Sequence, residues 1–294
     1  MIRELHFGGR ALRLDITGDA ATDLVEFLFC QVPGRGGVQP HVTLSLKGCC
    51  ADGELCFTFP GAEHPRERDE GHIVESADHL AGEVCGLAAQ IALKVLYEVD
   101  FHLANLASDG LYLHAASLAR HGQALIMPAS SGSGKSTLTY WLTQHGFHYM
   151  SDEATFVSLN SRMCTGFTRP AVLKLGSLDL FPNLAAQSKL ELRRGSGQRY
   201  GWLIGVSALN VLGLQHTPLI KSFIFPHFQP GLDFKYEQLS AAHTAFELAR
   251  CLINARNLAQ NGFPEVLRLA QAVPAWRLVY GDLQQVEGFF DKQF

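Results

Sequence analysis

Apolar and polar positions alternate through the first stretch of the chain, and the period then changes. Residues 2–9 (IRELHFGG), 11–17 (ALRLDIT), 41–48 (HVTLSLKG) and 54–61 (ELCFTFPG) carry β-branched and aromatic residues bounded by Gly, Asp and Pro. That pattern predicts strands. Residues 20–29 (AATDLVEFLF) predict a short helix, 34–40 a loop, and 63–71 (EHPRERDEG) an exposed charged turn. Leu80, Val84, Leu87, Ile91 and Val95 recur at intervals of three and four and predict a helix with one apolar face. A second short helix is expected over 101–107.

From Leu111 onward the pattern reads as α/β. A strand (LYLHAASLA), a turn at Arg120-His121-Gly122, a strand (QALIMPA), a Gly/Ser loop, a helix (TLTYWLTQHG) and a strand (HYMSD) follow one another. At least one of Tyr140 and Trp141 is expected in the core. Residues 154–235 read as β-rich with irregular loops. Residues 241–260 read as one long helix with Phe246, Ala249 and Ile253 on one stripe, before a shorter helix (PEVLRLAQAVP) and a late strand (WRLVYGD). A division near residue 105 separates an N-terminal α+β region, 1–105, with a recognition role, from a domain spanning 106–294.

The loop between the second strand and its helix carries the chemistry. Ala129-Ser130-Ser131-Gly132-Ser133-Gly134-Lys135-Ser136-Thr137 follows an apolar strand and opens a helix, the context a phosphate-binding loop requires. Ser131, Gly132, Ser133, Gly134, Lys135, Ser136 and Thr137 would surround the phosphates of ATP. Backbone N–H groups and the helix N-terminus face the anion, Lys135 adds charge, and Ser136 offers a hydroxyl to Mg²⁺. Ala129 stands where the consensus has Gly, and Ala resists φ > 0.

Asp152 follows Ser136 by only 16 positions. That interval holds one short helix and a return at Gly146, so Asp152 and Glu153 should project beside the loop. Asp152 is read as the catalytic base and Glu153 as the metal-side acid, and the two roles are exchangeable at this level. His114 shares a strand face with Tyr112 and could support the base. Arg169 and Lys174 bracket Pro170 and could meet phosphate. Arg193 and Arg194, in LRRGSGQRYG, form either a cationic loop over the site or a solvated hairpin turn.

Leu113-His114-Ala115, the loop SSGSGKSTL and the return HGFHYMSDE together resemble the catalytic domain of the HPr serine kinase/phosphorylase family. Phe167–Lys174 is similar to the Arg-Pro…Leu-Lys segment of its divergent HPr-kinase-related group. The resemblance covers roughly residues 108–290 and is specific at 110–155. It implies a P-loop kinase domain of the HPr-kinase/PEP-carboxykinase-like type with a smaller N-terminal region. It also implies an ATP- and Mg²⁺-dependent serine kinase acting on a small protein or peptide, and a homo-oligomer. Carried over by position, His114 is the active-site His, Lys135 and Ser136 bind phosphate and Mg²⁺, and Asp152 is the catalytic Asp. Glu191-Leu192-Arg193-Arg194-Gly195 only approximates the family's Glu-x-Arg-Gly signature, which puts a reverse phosphorylase reaction in doubt. A small-molecule hydroxyl kinase and a P-loop hydrolase or nucleotide-gated assembly protein are the alternatives.

Composition narrows this picture. Twenty-four Lys plus Arg against 28 Asp plus Glu give a formal charge of −4, against the basic balance of a nucleic-acid binder. Seven Cys without repeated spacing predict free thiols, and with no long apolar run they predict a cytoplasmic protein without a membrane span.

Overall fold

The computed structural model describes residues 1–32, 39–48, 54–59, 82–129, 132–159, 161–178, 180–181, 189–194, 197–212 and 217–294. Ser131, Leu80, Cys49, Cys50, Gly195, and the expected turn at 63–71 lie outside them. Among the described residues the fold is a mixed α/β arrangement with three sheets.

The first sheet orders β1 (Ile2–Phe7), β2 (Arg10–Thr17), β3 (Val42–Gly48), β4 (Glu54–Phe59) and β5 (Gly82–Leu87) side by side. Helices α1 (Asp19–Phe29) and α2 (Ala88–Leu106) pack on it through Leu24, Val25 and Leu28, and through Ile91, Val95, Val99 and Leu103. The helix expected from Leu80 therefore starts later. Val84 and Leu87 lie in β5, because residues 82–87 pair with β4 and the Gly residues at 82 and 86 weaken a helix there. Residues 101–106 continue α2 and form no separate helix.

The expectation of free thiols is corrected in this sheet. Cys56 and Cys85 sit directly opposite each other across β4 and β5 and form a disulfide. Sequence spacing carries no sign of that pairing, since it arises only from strand register. Among the described residues Cys30, Cys164 and Cys251 are free. No helix among them is long and apolar enough to cross a membrane.

The central sheet holds β6 (Gly110–Arg120), β7 (Gln123–Pro128), β8 (His148–Ser151), β9 (Ala154–Ser158) and β10 (Cys164–Gly166). A small sheet follows, made of β11 (Ala171–Lys174), β12 (Lys189–Arg193) and β13 (Arg199–Ile204). The chain then returns to the central sheet with β14 (Leu219–Phe228), β15 (Lys235–Gln238) and β16 (Ala275–Tyr280). The central order is β10-β9-β6-β7-β14-β16-β15, with β8 also paired to β6. Strands β7, β14 and β16 run parallel, and β6 runs against β7. His121 and Gly122, both at positive φ, make the two-residue turn between β6 and β7.

Helix α3 (Lys135–Gln144) follows β7, and the one-turn α4 (Leu175–Leu178) follows β11. On α3 both Tyr140 and Trp141 are buried. The long helix expected at 241–260 is broken into α5 (Ala241–Arg250) and short 3₁₀ turns before α6 (Phe263–Ala272), and α7 (Glu287–Gln293) closes the described chain. Asn254 supplies the reason for the break. Its side chain accepts from Tyr112 N and donates to the carbonyls of Ala107 and Gly110, which draws the chain away from helical geometry. Phe246 and Ile253, expected on one stripe with Ala249, are 62% and 44% exposed, while Thr244, Ala245 and Leu248 are buried.

One apolar cluster runs through the division near residue 105. It joins side chains of β1, β2, α1 and α2 to Tyr112, Phe167, Leu192 and Leu203. Phe7 meets the rings of both Tyr112 and Phe167, at 5.6 and 5.1 Å between centroids.

Candidate active site

Strand directions bring several chain segments to one edge of the central sheet. The parallel strands β7, β14 and β16 end there at Pro128, Phe228 and Tyr280. Antiparallel β6 passes the same edge with Ala115 opposite Pro128, which places His114 beside the loop that leaves β7. Strand β8 runs against β6, so its last residue, Ser151, and the acids after it reach that edge too. Ligands of open α/β sheets bind outside such carboxyl ends.

The loop enters α3 through Gly134 at φ +91, with Gly132 at φ +89. Ala129 is buried and is not among the residues at positive φ, so the missing Gly of the consensus costs no backbone strain. Lys135 is 7% exposed. Its Nζ lies 3.2 Å from His114 Nε2, and His114 Nδ1 lies 2.7 Å from Glu153 Oε1. An ammonium can only donate. Nε2 therefore accepts, and the ring proton on Nδ1 is donated to Glu153. Thr137 Oγ1 and Ser177 Oγ are 2.6 Å apart, tying α4 to the start of α3.

The adjacent acids occupy different surroundings. Ser151 Oγ accepts from the backbone N–H groups of Glu153 and Ala154, which sets the turn between β8 and β9. Asp152 is 1% exposed, and its two oxygens accept from Tyr149 OH and the Val172 N–H. Burial pushes its carboxyl up, against the pull of Arg169. The Glu153 side chain keeps 36% exposure. Burial works against its charge, but the His114 hydrogen bond and the cations Arg169 and Lys135 prevail and hold it down at about 2. Asp152, read as the base with its role exchangeable with that of Glu153, lies on the buried side of this pair. Its carboxylate is enclosed and used by Tyr149 and Val172, and Glu153 is the acid that faces the loop lysine through His114.

Arg169 joins this group from behind. Its Nη1 donates to Asp100 Oδ2 at 2.6 Å, and Nη2 stands 3.6 Å from Glu153 Oε2. The surrounding carboxylates hold it firmly protonated against burial. Asp100, on α2, was not a sequence candidate, although a signal existed. An acid four residues after Leu96 and three before Leu103 falls on the buried stripe of a helix, where a charge needs a partner. Lys174 ends β11 at the surface. Arg193 pairs with Glu191 and donates to the Gly197 carbonyl, while backbone bonds of Arg194 close the β12–β13 hairpin. Strands β12 and β13 pair antiparallel on either side of this segment. Among the described residues no group of three or more His, Cys, Asp or Glu could hold a metal ion by itself.

Burial pushes the Asp100 carboxyl from its ordinary 3.8 up to about 7, with Arg169 pulling the other way. Between those pH values the folded chain holds more of this proton than the unfolded chain. The contribution is full below about 3.8 and is lost as pH rises to about 7. Asp100→Asn is expected to remove this decline. Thermal melts of both proteins at about pH 4, about pH 5.5 and about pH 7.5 should converge or cross as pH rises.

No family model matches the chain, and no curated protein matches it. Among solved structures, the Hpr(Ser) kinase/phosphatase from Coxiella burnetii matches with 9% identity and a TM-score of 0.28, covering 62% of this chain and 88% of that chain. A likeness of that size carries no weight for the site.

Proposed function

We propose that the chain is an ATP- and Mg²⁺-dependent phosphotransferase that moves the γ-phosphate to a hydroxyl, a serine of a small protein or peptide being the acceptor. The observation that carries this reading is the hydrogen-bonded chain Lys135–His114–Glu153, with its 3.2 and 2.7 Å contacts, set beside a Gly-rich loop at a helix start. The family resemblance of the loop and acid segments supports it independently.

In this reading the backbone N–H groups of residues 132–137 and Lys135 receive the phosphates. Glu153, ionised and partly exposed, would offer Mg²⁺ a hard anionic oxygen, and the Ser136 hydroxyl would be the second protein ligand. When bound, the ion would supply charge neutralisation on the phosphate oxygens. When phosphate draws Lys135 away, His114 Nε2 is released to accept the proton of the attacking hydroxyl, while Glu153 keeps Nδ1–H oriented. Arg169 steadies Glu153 from the buried side, and Asp152 fixes Tyr149 and the start of β11.

The test follows γ-labelled phosphate from ATP–Mg²⁺ in a lysate of the native organism, with wild type and His114→Ala compared. Label on a protein or peptide, lost in the variant, is the expected result. Label in a small organic phosphate would change the acceptor class, free phosphate alone would make the chain a hydrolase, and untouched ATP would contradict the reading.

A further inference from the structure

The edge that holds the loop also presents an aromatic ring with no part in the chemistry above. Phe228, the last residue of β14, is 38% exposed. Its N–H donates to the Ser133 carbonyl at 3.0 Å, so the strand end is fastened to the loop. The ring of Tyr280, at the end of neighbouring β16, lies 5.7 Å away at 55° and backs it. Gly134 makes room for both. A Cβ there would stand 2.8 Å from Phe228 Cβ and 3.0 Å from the Tyr280 hydroxyl, which is buried without a partner.

On the proposed reading, strand order suggests which end of a nucleotide this ring meets. His114 and Glu153 lie on the β6 side of β7, so the reactive γ end of a triphosphate in the loop belongs there. The other end, which carries the base, leaves toward β14 and β16. We infer that Phe228 is the stacking platform for the nucleobase, making the chain select a nucleoside triphosphate over a bare polyphosphate. This rests on the nucleotide reading of the loop. A flat apolar ring held at fixed distance from an anion site offers the π-face on which bases stack, at little entropic cost because the backbone bond and Tyr280 already restrain it.

The test is calorimetric titration of the full chain with ATP–Mg²⁺ and with tripolyphosphate–Mg²⁺. It compares wild type, Phe228→Ala, and Phe228→Leu, which keeps apolar packing on Gly134 without the ring. Both substitutions are expected to weaken ATP by about tenfold, the loss of one stacked base, and to leave tripolyphosphate unchanged. Unchanged ATP affinity, or equal losses for the two ligands, would overturn the platform, the second outcome reducing Phe228 to a support of the loop. A wild-type chain that binds tripolyphosphate as tightly as ATP would also overturn it while leaving the phosphate loop standing. Binding of neither ligand would overturn the nucleotide reading and the platform together.

Discussion

Lys135→Ala is expected to lower phosphoryl transfer by about 10²- to 10³-fold, the usual loss when one preorganised donor to a developing anion is removed. The lysine is almost enclosed and its Nζ lies against His114 Nε2, so the change acts in two ways. It removes the charge that the proposed reaction directs at the β- and γ-phosphates, and it frees the imidazole from its contact with Nζ. Nucleotide affinity should fall less than rate, because the backbone N–H groups and the helix start remain. Comparing kcat with the ATP dissociation constant in the variant separates the two. Lys135→Arg should not rescue the rate, since a fork-shaped guanidinium cannot take the place of a compact ammonium between imidazole and loop.

Arg169→Met is expected to cost about 3 kcal/mol of stability, the lower end of the range for breaking a buried ion pair. Arg169 is 7% exposed as a side chain, whereas Asp100 keeps 18%, so water relieves part of the stranded charge. The remaining loss is electrostatic. Removing the guanidinium takes away the cation that Asp100 and Glu153 share. Denaturant unfolding measures the effect, and a second substitution checks its cause. Asp100→Asn placed on Arg169→Met should recover part of the lost stability, because it withdraws one of the stranded carboxylates. Recovery would be absent if Met simply packed badly.

Much of the site edge is legible in the chain because it is built from local rules. The β6 turn, β7, the Gly/Ser loop, α3 and the return through Gly146 each follow from period and glycine placement over short spans. The N-terminal helix boundary was not legible. Val84, Leu87, Ile91 and Val95 satisfy helical spacing, and only pairing with β4, closed by Cys56–Cys85, assigns the first two to a strand. The break after Arg250 likewise depends on backbone groups that Asn254 meets at Ala107, Gly110 and Tyr112, all more than a hundred residues away. Asp152 and Glu153 look equivalent in sequence. Tyr149 OH and the Val172 N–H on one side, and His114 and Arg169 on the other, give them opposite proton affinities.

The most direct test of the central claim is a crystal structure of the chain with a non-hydrolysable ATP analogue and Mg²⁺. The account predicts a triphosphate within the loop, Lys135 Nζ moved from His114 Nε2 onto phosphate oxygens, and the γ-phosphate facing His114 and Glu153. A nucleotide bound away from the loop, or one in the loop with its γ-phosphate turned from His114 while Lys135 still holds the imidazole, would contradict it.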